Sequence, residues 1–313
     1  MTLPVISEDD LVALGSVFPD LDFLDAERRA VLLERGSRDV NAAPGSGKTT
    51  VLAAKLLLLA TKWPFERRGI CVLSHTNVAR AEVQRRLGVT AQGERLLGYP
   101  HFIGTIHAFV NQYLALPFMR SEGIDVEVID NDVFSSRAVA MARRNGTLRA
   151  WMDKRMGVDK MIGGLVFHGP NLAIASEEGR LPQETAKSYP LLRRIKVDLA
   201  RDGVFRHADM FAFAECLLEK SPFLKDRMSL RFPLVFIDEM QDTSRAQEDL
   251  LSRLFDQEVI IQRLGDTNQR ILGSDTSADL LTFPRTSALS IGTSKRFGPR
   301  IASVVSGVRV GGY

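Results

Sequence analysis

Cysteine is scarce: only Cys71 and Cys216 occur in 313 residues, without the paired spacing of a metal site. A disulfide-stapled secreted domain is thereby excluded, and two reduced thiols fit a cytoplasmic protein. The opening residues, with Ser7, Glu8, Asp9 and Asp10, lack the basic-then-apolar layout of a secretion signal. No long hydrophobic run is present either. The longest, Val51 to Ala60, contains Lys55 and falls short of the ~20 residues that span a bilayer, so no membrane partner is expected. Repeats and low-complexity segments are lacking. Charge of one sign is nearly balanced, with 41 Lys and Arg against 38 Asp and Glu and a formal net charge of +3, too weak a bias to argue for nucleic acid alone. Hydrophobic residues at 45% and charged residues at 25% exclude a disordered tail or a fibre. At roughly 150 residues per domain, the length suits one large domain or two ordinary ones.

What is present alternates. Leu24 to Glu34 reads as an amphipathic helix, Arg38 to Asn41 as a short strand, and Pro44-Gly45-Ser46-Gly47 as a tight loop before a buried helix from Lys48 to Lys62. Ile70 to Leu73 (strand), Asn77 to Leu87 (helix), Phe102 to Gly104 (strand) and His107 to Leu116 (helix) continue the pattern. Leu234 to Ile237 and Glu258 to Leu264 are further strands, and Leu289 to Val305 reads as the opening of another strand–helix unit. Strands alternating with helices predict an α/β fold with a parallel sheet. Between about Phe118 and Arg231 the chain turns helical and basic, with turn signals at Gly163-Gly164 and Gly169-Pro170, as an inserted, mostly helical subdomain does.

The strongest local signal is Ala42-Ala43-Pro44-Gly45-Ser46-Gly47-Lys48-Thr49-Thr50. A phosphate-binding loop needs backbone N–H groups aimed inward, small residues for close approach and a helix N-terminus behind. In such a loop Ala43 to Thr50 surround the phosphates, Lys48 supplies a point charge and the Thr49 hydroxyl ligates Mg²⁺. The usual first glycine is Ala42. The apolar strand Leu234 to Ile237 ends in Asp238-Glu239, at the sheet edge where α/β folds place ligands. Asp238 then serves the metal, and Glu239 accepts the proton of an attacking water.

Five ordered phrases resemble superfamily-one DNA helicases of the UvrD/Rep/PcrA type: the loop above apart, these are Leu73 to Val83, Gly104 to Phe109, Phe236 to Ser244, Gly265 to Gly273 and Ser294 to Phe297. The resemblance covers roughly Leu24 to Val305. It implies a RecA-like P-loop NTPase domain: motor domain 1A over 1–117 and 231–290, an inserted helical subdomain 1B over 118–230, and the start of a truncated second motor domain at 291–313. It further implies hydrolysis of ATP or another nucleoside triphosphate with Mg²⁺ and 3′–5′ movement on DNA. Gln269 becomes the γ-phosphate sensor, Gln241 and Asp242 a relay, and Arg296 a guanidinium that reaches the γ-phosphate from the second domain. Thr76, Asn77, Thr105 and His107 become DNA contacts, although Thr76 and Asn77 are also good helix-capping types. The fifth and sixth family motifs find no counterpart after Arg296, as in a fragment of a longer protein.

The sequence departs from the family at three places. Arg28 stands where the entrance motif carries an adenine-reading Gln, and an arginine offers no paired donor and acceptor, so other triphosphates are admitted. His75 replaces the usual aromatic after Ser74. Leu272-Gly273-Ser274-Asp275 replaces the aromatic end of the third motif, a base-stacking platform. These departures keep open an alternative, a DNA-end or nucleotide-sensing regulatory subunit that controls a nuclease without processive unwinding. The stretches His101 to Phe118 and Leu73 to Val83 also resemble the UvrD-like helicase subunit of Gabija-type antiphage systems. That would imply an OLD-type TOPRIM nuclease partner and a part in antiviral defence, with DNA repair as the other pathway.

Overall fold

The computed structural model describes residues 3–15, 25–255, 257–269, 283–285 and 287–293. They fall into two compact units, one of Met1–Ile106 with Phe223–Tyr313 and one of His107–Pro222.

The first unit is an α/β domain. Helices α1 (Glu8–Gly15) and α2 (Ala26–Leu33) lead into β1 (Arg38–Ala42), α3 (Lys48–Lys62), β2 (Ile70–Ser74), α4 (Asn77–Leu87) and β3 (Phe102–Thr105). After the second unit come β4 (Leu234–Ile237), α5 (Arg245–Leu254), β5 (Ile260–Gly265) and β6 (Leu289–Ile291). The six strands form one sheet in the order β6-β1-β5-β4-β2-β3, and every pairing is parallel. Strands covered on both faces read as unbroken apolar runs rather than as alternation. Every residue of β2 and β4 is accordingly buried. Because parallel strands finish on one edge, the segments after β1, β2, β4 and β5 gather there.

Helix α3 is buried without interruption from Thr50 to Leu59, as a helix apolar on all sides must be. Its one interior cation, Lys55, lies against the C-terminal end of α2, where Nζ donates to Val31 O and Glu34 O at 2.7 Å each. Those carbonyls carry the negative end of the helix dipole. Burial pulls the Lys55 pKa down to about 7.

Two expectations from sequence are revised. Leu289–Ile291 does not open a separate unit: Val40 pairs with Leu289 and Ala42 with Ile291, which extends the same sheet. The helix expected from His107 to Leu116 is broken into α-helix Ile106–Val110, π-helix Asn111–Ala115 and α-helix Leu116–Ser121. Pro117 cannot donate to the carbonyl one turn back, and the i→i+5 bond from Leu116 N–H to Asn111 O shifts the register ahead of it. Within the second unit, Gly169-Pro170 does mark a turn, that of a β-hairpin of Leu165–His168 with Ala173–Ser176.

The second unit is otherwise helical, with Asn131–Arg144, Tyr189–Arg201 and Asp209–Lys220 as its longest elements. A fully buried pair sits among them. Lys196 Nζ meets Asp209 Oδ2 at 2.5 Å and lies over the rings of Phe134 and Phe167, 4.2 and 4.7 Å from their centroids. Asp209 also accepts the N–H groups of Phe167 and Arg206, both at 2.7 Å, which satisfies a carboxylate that burial would otherwise make costly. Among the described residues no helix is long and apolar enough to cross a membrane.

Beneath the sheet edge that matters, β1 and β5 are locked by charge. Arg263 Nε donates to Asp39 Oδ1 at 2.7 Å and Nη2 to Asp39 Oδ2 at 2.5 Å, with Glu248 of α5 on its third nitrogen. Removing one partner of a buried pair leaves an uncompensated charge. Asp39→Ala is therefore expected to destabilise the chain by about 3 kcal/mol, read from urea midpoints. A second prediction concerns pH. His101 Nδ1 accepts Ile70 N–H at 3.0 Å, and burial, aided by the Arg231 charge, pushes its pKa from 6.5 down to about 4. The folded chain keeps this ring neutral while the unfolded chain protonates it, so its contribution is complete above pH 6.5 and declines as pH falls towards 4. His101→Gln is expected to flatten that part of the decline in urea midpoints measured from pH 7 to 4.

Candidate functional site

Strand β1 ends at Ala42, and the chain turns through Ala43–Gly47 into α3. Gly45 and Gly47 adopt φ of 73° and 85°, a left-handed geometry that side chains disfavour and that lets successive peptide groups face one centre. Ala43 N–H is held by Ile291 O at 2.8 Å and Ser46 N–H by Ala43 O at 3.0 Å, so the loop is fixed from β6 and from within. Ala43, Pro44, Gly45, Gly47, Lys48, Thr49 and Thr50 line a cleft of about 430 Å³, shared with Glu239, Asp266 and Gln269.

Lys48 crosses that cleft. Its Nζ lies 3.3 Å from Asp238 Oδ1 and is hydrogen-bonded to Glu239 Oε2. The side chain starts behind β1, whereas the acids follow β4, and β5 separates the two strands. A lysine is long enough to bridge that gap. Asp238 is wholly buried, and its Oδ2 has no hydrogen-bond partner. Burial raises its pKa, an effect the Lys48 charge only partly offsets. For Glu239 burial acts upward too, but the Lys48 charge and the bonds from Lys48 and Gln241 outweigh it and hold the carboxyl below its ordinary value. Lys48 is pulled down by burial and raised further by the two carboxylates, so it stays charged.

Glu239 has φ 56° and ψ 46°, the left-handed region, in which a non-glycine residue is strained. Its N–H donates to Asp238 Oδ1 at 3.0 Å, and Gln241 Nε2 donates to its Oε2 at 2.6 Å. Gln241 Oε1 in turn accepts Asp266 N–H at 2.9 Å. Gln269 follows on the exposed side of the loop after β5, with its N–H on Asp266 O at 3.2 Å. The structure therefore brings Lys48, Thr49, Asp238, Glu239 and Gln269 to one sheet edge. Arg296, the phrase Ser294 to Phe297 and the segment Leu272 to Asp275 lie outside the described residues.

Among the described residues no group of three His, Cys, Asp or Glu gathers to hold a metal. The donor set here is a different kind: one hydroxyl at Thr49, one buried carboxylate with an unmatched oxygen at Asp238, and a cleft open to further ligands. That set suits Mg²⁺, which takes one or two protein oxygens and keeps water and phosphate for the rest.

Arg28 does not line the cleft. It is buried behind the loop, bound to Asp25 and to the backbone carbonyls of Ser46 and Thr293. Ser46 is buried too and turns its carbonyl to Arg28. Three lining residues were not anticipated: Val78, Glu82 and Arg86, spaced four apart along one face of α4. That spacing is visible in the sequence, but nothing in it says which way the face looks. Thr76 caps α4, its hydroxyl accepting Ala79 N–H at 3.1 Å, and Asn77 opens the helix. Thr105 ends β3 and pairs in register with Ser74 of β2, so it occupies the same sheet edge as the Thr76 loop. His107 belongs to the second unit, where its ring stands edge-on to Phe211 at 5.0 Å and to His207 at 6.1 Å.

The family model of the UvrD/REP helicase N-terminal domain matches residues 24–275. The chain is 26% identical over 261 residues to DNA helicase II of Haemophilus influenzae, covering 80% of this chain and 34% of that protein. It is 24% identical over 251 residues to the ATP-dependent DNA helicase Rep of Salmonella typhimurium, with 78% and 36% covered. With a probable DNA helicase of Mycoplasma pneumoniae it shares 24% identity over 263 residues, 81% of this chain and 48% of the relative. The chain thus spans between about a third and a half of the length of these relatives.

Proposed function

The chain belongs to the UvrD/REP helicase N-terminal domain family, and from that premise we propose that it is the nucleotide-hydrolysing part of a DNA motor. It binds a nucleoside triphosphate in the cleft after β1, hydrolyses it in response to DNA, and supplies the energy for 3′–5′ movement of the whole protein. The observation that carries this reading is the meeting of Lys48 with Asp238 and Glu239 across β5.

The chemistry follows from that meeting. Without ligand, Lys48 offsets one of the two negative charges of a carboxylate pair that burial makes unfavourable. A triphosphate brings oxygens that compete for Lys48, and the loop N–H groups with the α3 N-terminus add further attraction for its charge. Thr49 and Asp238 would then hold Mg²⁺, which neutralises charge on the β- and γ-phosphates. Glu239, released from Lys48 yet still held by Gln241, is placed to take a proton from the water that attacks the γ-phosphorus. Gln269, at the cleft wall, is a neutral donor and acceptor able to orient that water or the γ-phosphate. For DNA we assign Thr76, Asn77 and Thr105 from the same edge of the sheet and His107 from the second unit, and Arg296 for the γ-phosphate. ATP is the nucleotide named in relatives such as Rep of Salmonella typhimurium.

The test uses the full-length protein with single-stranded DNA. Lys48→Ala is expected to lower DNA-stimulated triphosphate hydrolysis by about 10²–10³-fold and to weaken binding of a fluorescent nucleotide. Glu239→Gln should lower hydrolysis by about 10²–10⁴-fold while nucleotide binding persists, because it removes the base and not the phosphate cradle. Hydrolysis at the wild-type rate in Lys48→Ala would overturn the assignment.

A further inference from the structure

Position 28 lies one turn into α2, behind the phosphate loop and away from the cleft. Its guanidinium is almost fully buried, and each nitrogen has a defined environment. Nη1 donates to Asp25 Oδ2 at 3.0 Å, and Nη2 donates to Ser46 O at 2.7 Å and to Thr293 O at 2.9 Å. Nε is buried without a partner. The neighbouring Glu27 grips the same strand end from its other side, its Oε2 accepting Gly292 N–H at 3.0 Å and Thr293 N–H at 3.3 Å. The head of α2 therefore binds both the phosphate loop and the residues that follow β6, with Arg28 at the junction.

The bond to Ser46 O has a geometric consequence. A trans peptide is planar, and its C=O and N–H point in opposite directions. Fixing Ser46 O towards Arg28 turns the N–H of Gly47, in the same peptide unit, away from Arg28. Gly47 lines the cleft, and its φ of 85° is one that glycine adopts without strain. Arginine suits the task better than lysine, since one nitrogen reaches two carbonyls while another holds a carboxylate in the same plane. A buried guanidinium is also all donor and no acceptor, so it presents no paired edge to a base. Also lining the cleft, Arg86 and Glu82 are closed on each other, with Nε to Oε1 at 2.6 Å, and Val78 offers the same apolar surface to any ring.

We propose that Arg28 is a positioning residue that aims the Gly47 N–H at the phosphates, and that the site consequently selects nucleoside triphosphates by their phosphate chain with little discrimination among bases. The inference rests on the nucleotide-binding function proposed above. It assigns a substrate class to that site and a structural cause to the class.

The experiment is a competition assay on the full-length protein with Mg²⁺ and a fluorescent ATP analogue, using ATP, GTP, CTP, UTP and inorganic tripolyphosphate as competitors. Wild-type dissociation constants for the four nucleotides should agree within about tenfold. Arg28→Gln should raise the constants of all four nucleotides and of tripolyphosphate by one common factor of about tenfold or more. Tripolyphosphate has no base, so it separates loop positioning from base reading. A residue that only stabilises the fold would lower the thermal midpoint and leave the constants of the folded protein unchanged, and that result overturns the proposal. A wild-type preference for one base of more than about tenfold, or a variant effect confined to one base, also overturns it. If Arg28→Gln does not fold, the wild-type competition decides. Wild-type protein that binds none of the five ligands refutes the proposed function itself, whereas base preference with binding intact refutes this inference alone.

Discussion

Two carboxylates side by side at the end of a buried strand are an unstable arrangement unless a cation is brought to them, and Lys48 is that cation. Asp238 has no solvent exposure, and burial alone would drive it to the neutral acid. Lys48 lies on Asp238 and Glu239 together, so one positive charge is shared between the two acids. The strand order makes this contact long-range, because β5 separates the strand that delivers the lysine from the strand that delivers the acids. A cleft forms between them as a result. A triphosphate accompanied by a divalent cation would offer oxygens to the lysine and positive charge to the acids together.

Three further buried cations hold the frame in which that contact is made. Arg263 joins β5 to β1 through Asp39, Lys55 joins α3 to the end of α2, and Arg28 joins the head of α2 to the phosphate loop and to the end of β6. Each reaches backbone carbonyls or a carboxylate that would otherwise be buried without a partner. Removing one partner of such a set is more damaging than never having had it, because the remaining charge has no water to turn to. The edge of the sheet that carries the chemistry is thus rigid from behind, while Lys48 and Glu239 at its front remain partly accessible.

Much of this was legible in the residues. Gly45, Gly47 and Lys48 announce a phosphate loop because few other structures need that pattern, and helix α3 was placed from its apolar run with both ends where the structure has them. The strands β2 and β4 were readable because short apolar runs with no polar alternation have few other uses in an α/β chain. Less was legible where one residue decides between alternatives. Pro117 sets a π-helical turn that no periodicity announces. Leu289–Ile291 is too short for its own sequence to choose a partner strand, and only the proximity of β1 decides it. The direction in which Arg28 points was hidden for a similar reason: its substitution was evident in the sequence, but its three acceptors include two backbone carbonyls, at positions 46 and 293, that no side chain identity marks.

The strained backbone of Glu239 ties these observations together. Left-handed geometry at a non-glycine residue costs of the order of 1–3 kcal/mol and persists only where surrounding bonds over-determine it. Here those bonds are to Lys48, to Gln241 and, through its own N–H, to Asp238. The second and third of these do not depend on the lysine. Gln241 is a primary amide with both ends engaged, its nitrogen on Glu239 and its oxygen on the N–H of Asp266. The amide oxygen is thereby fixed to the loop that carries Gln269. Lys48, Glu239, Gln241 and Asp266 therefore form one continuous hydrogen-bonded chain from the acid pair to the loop after β5.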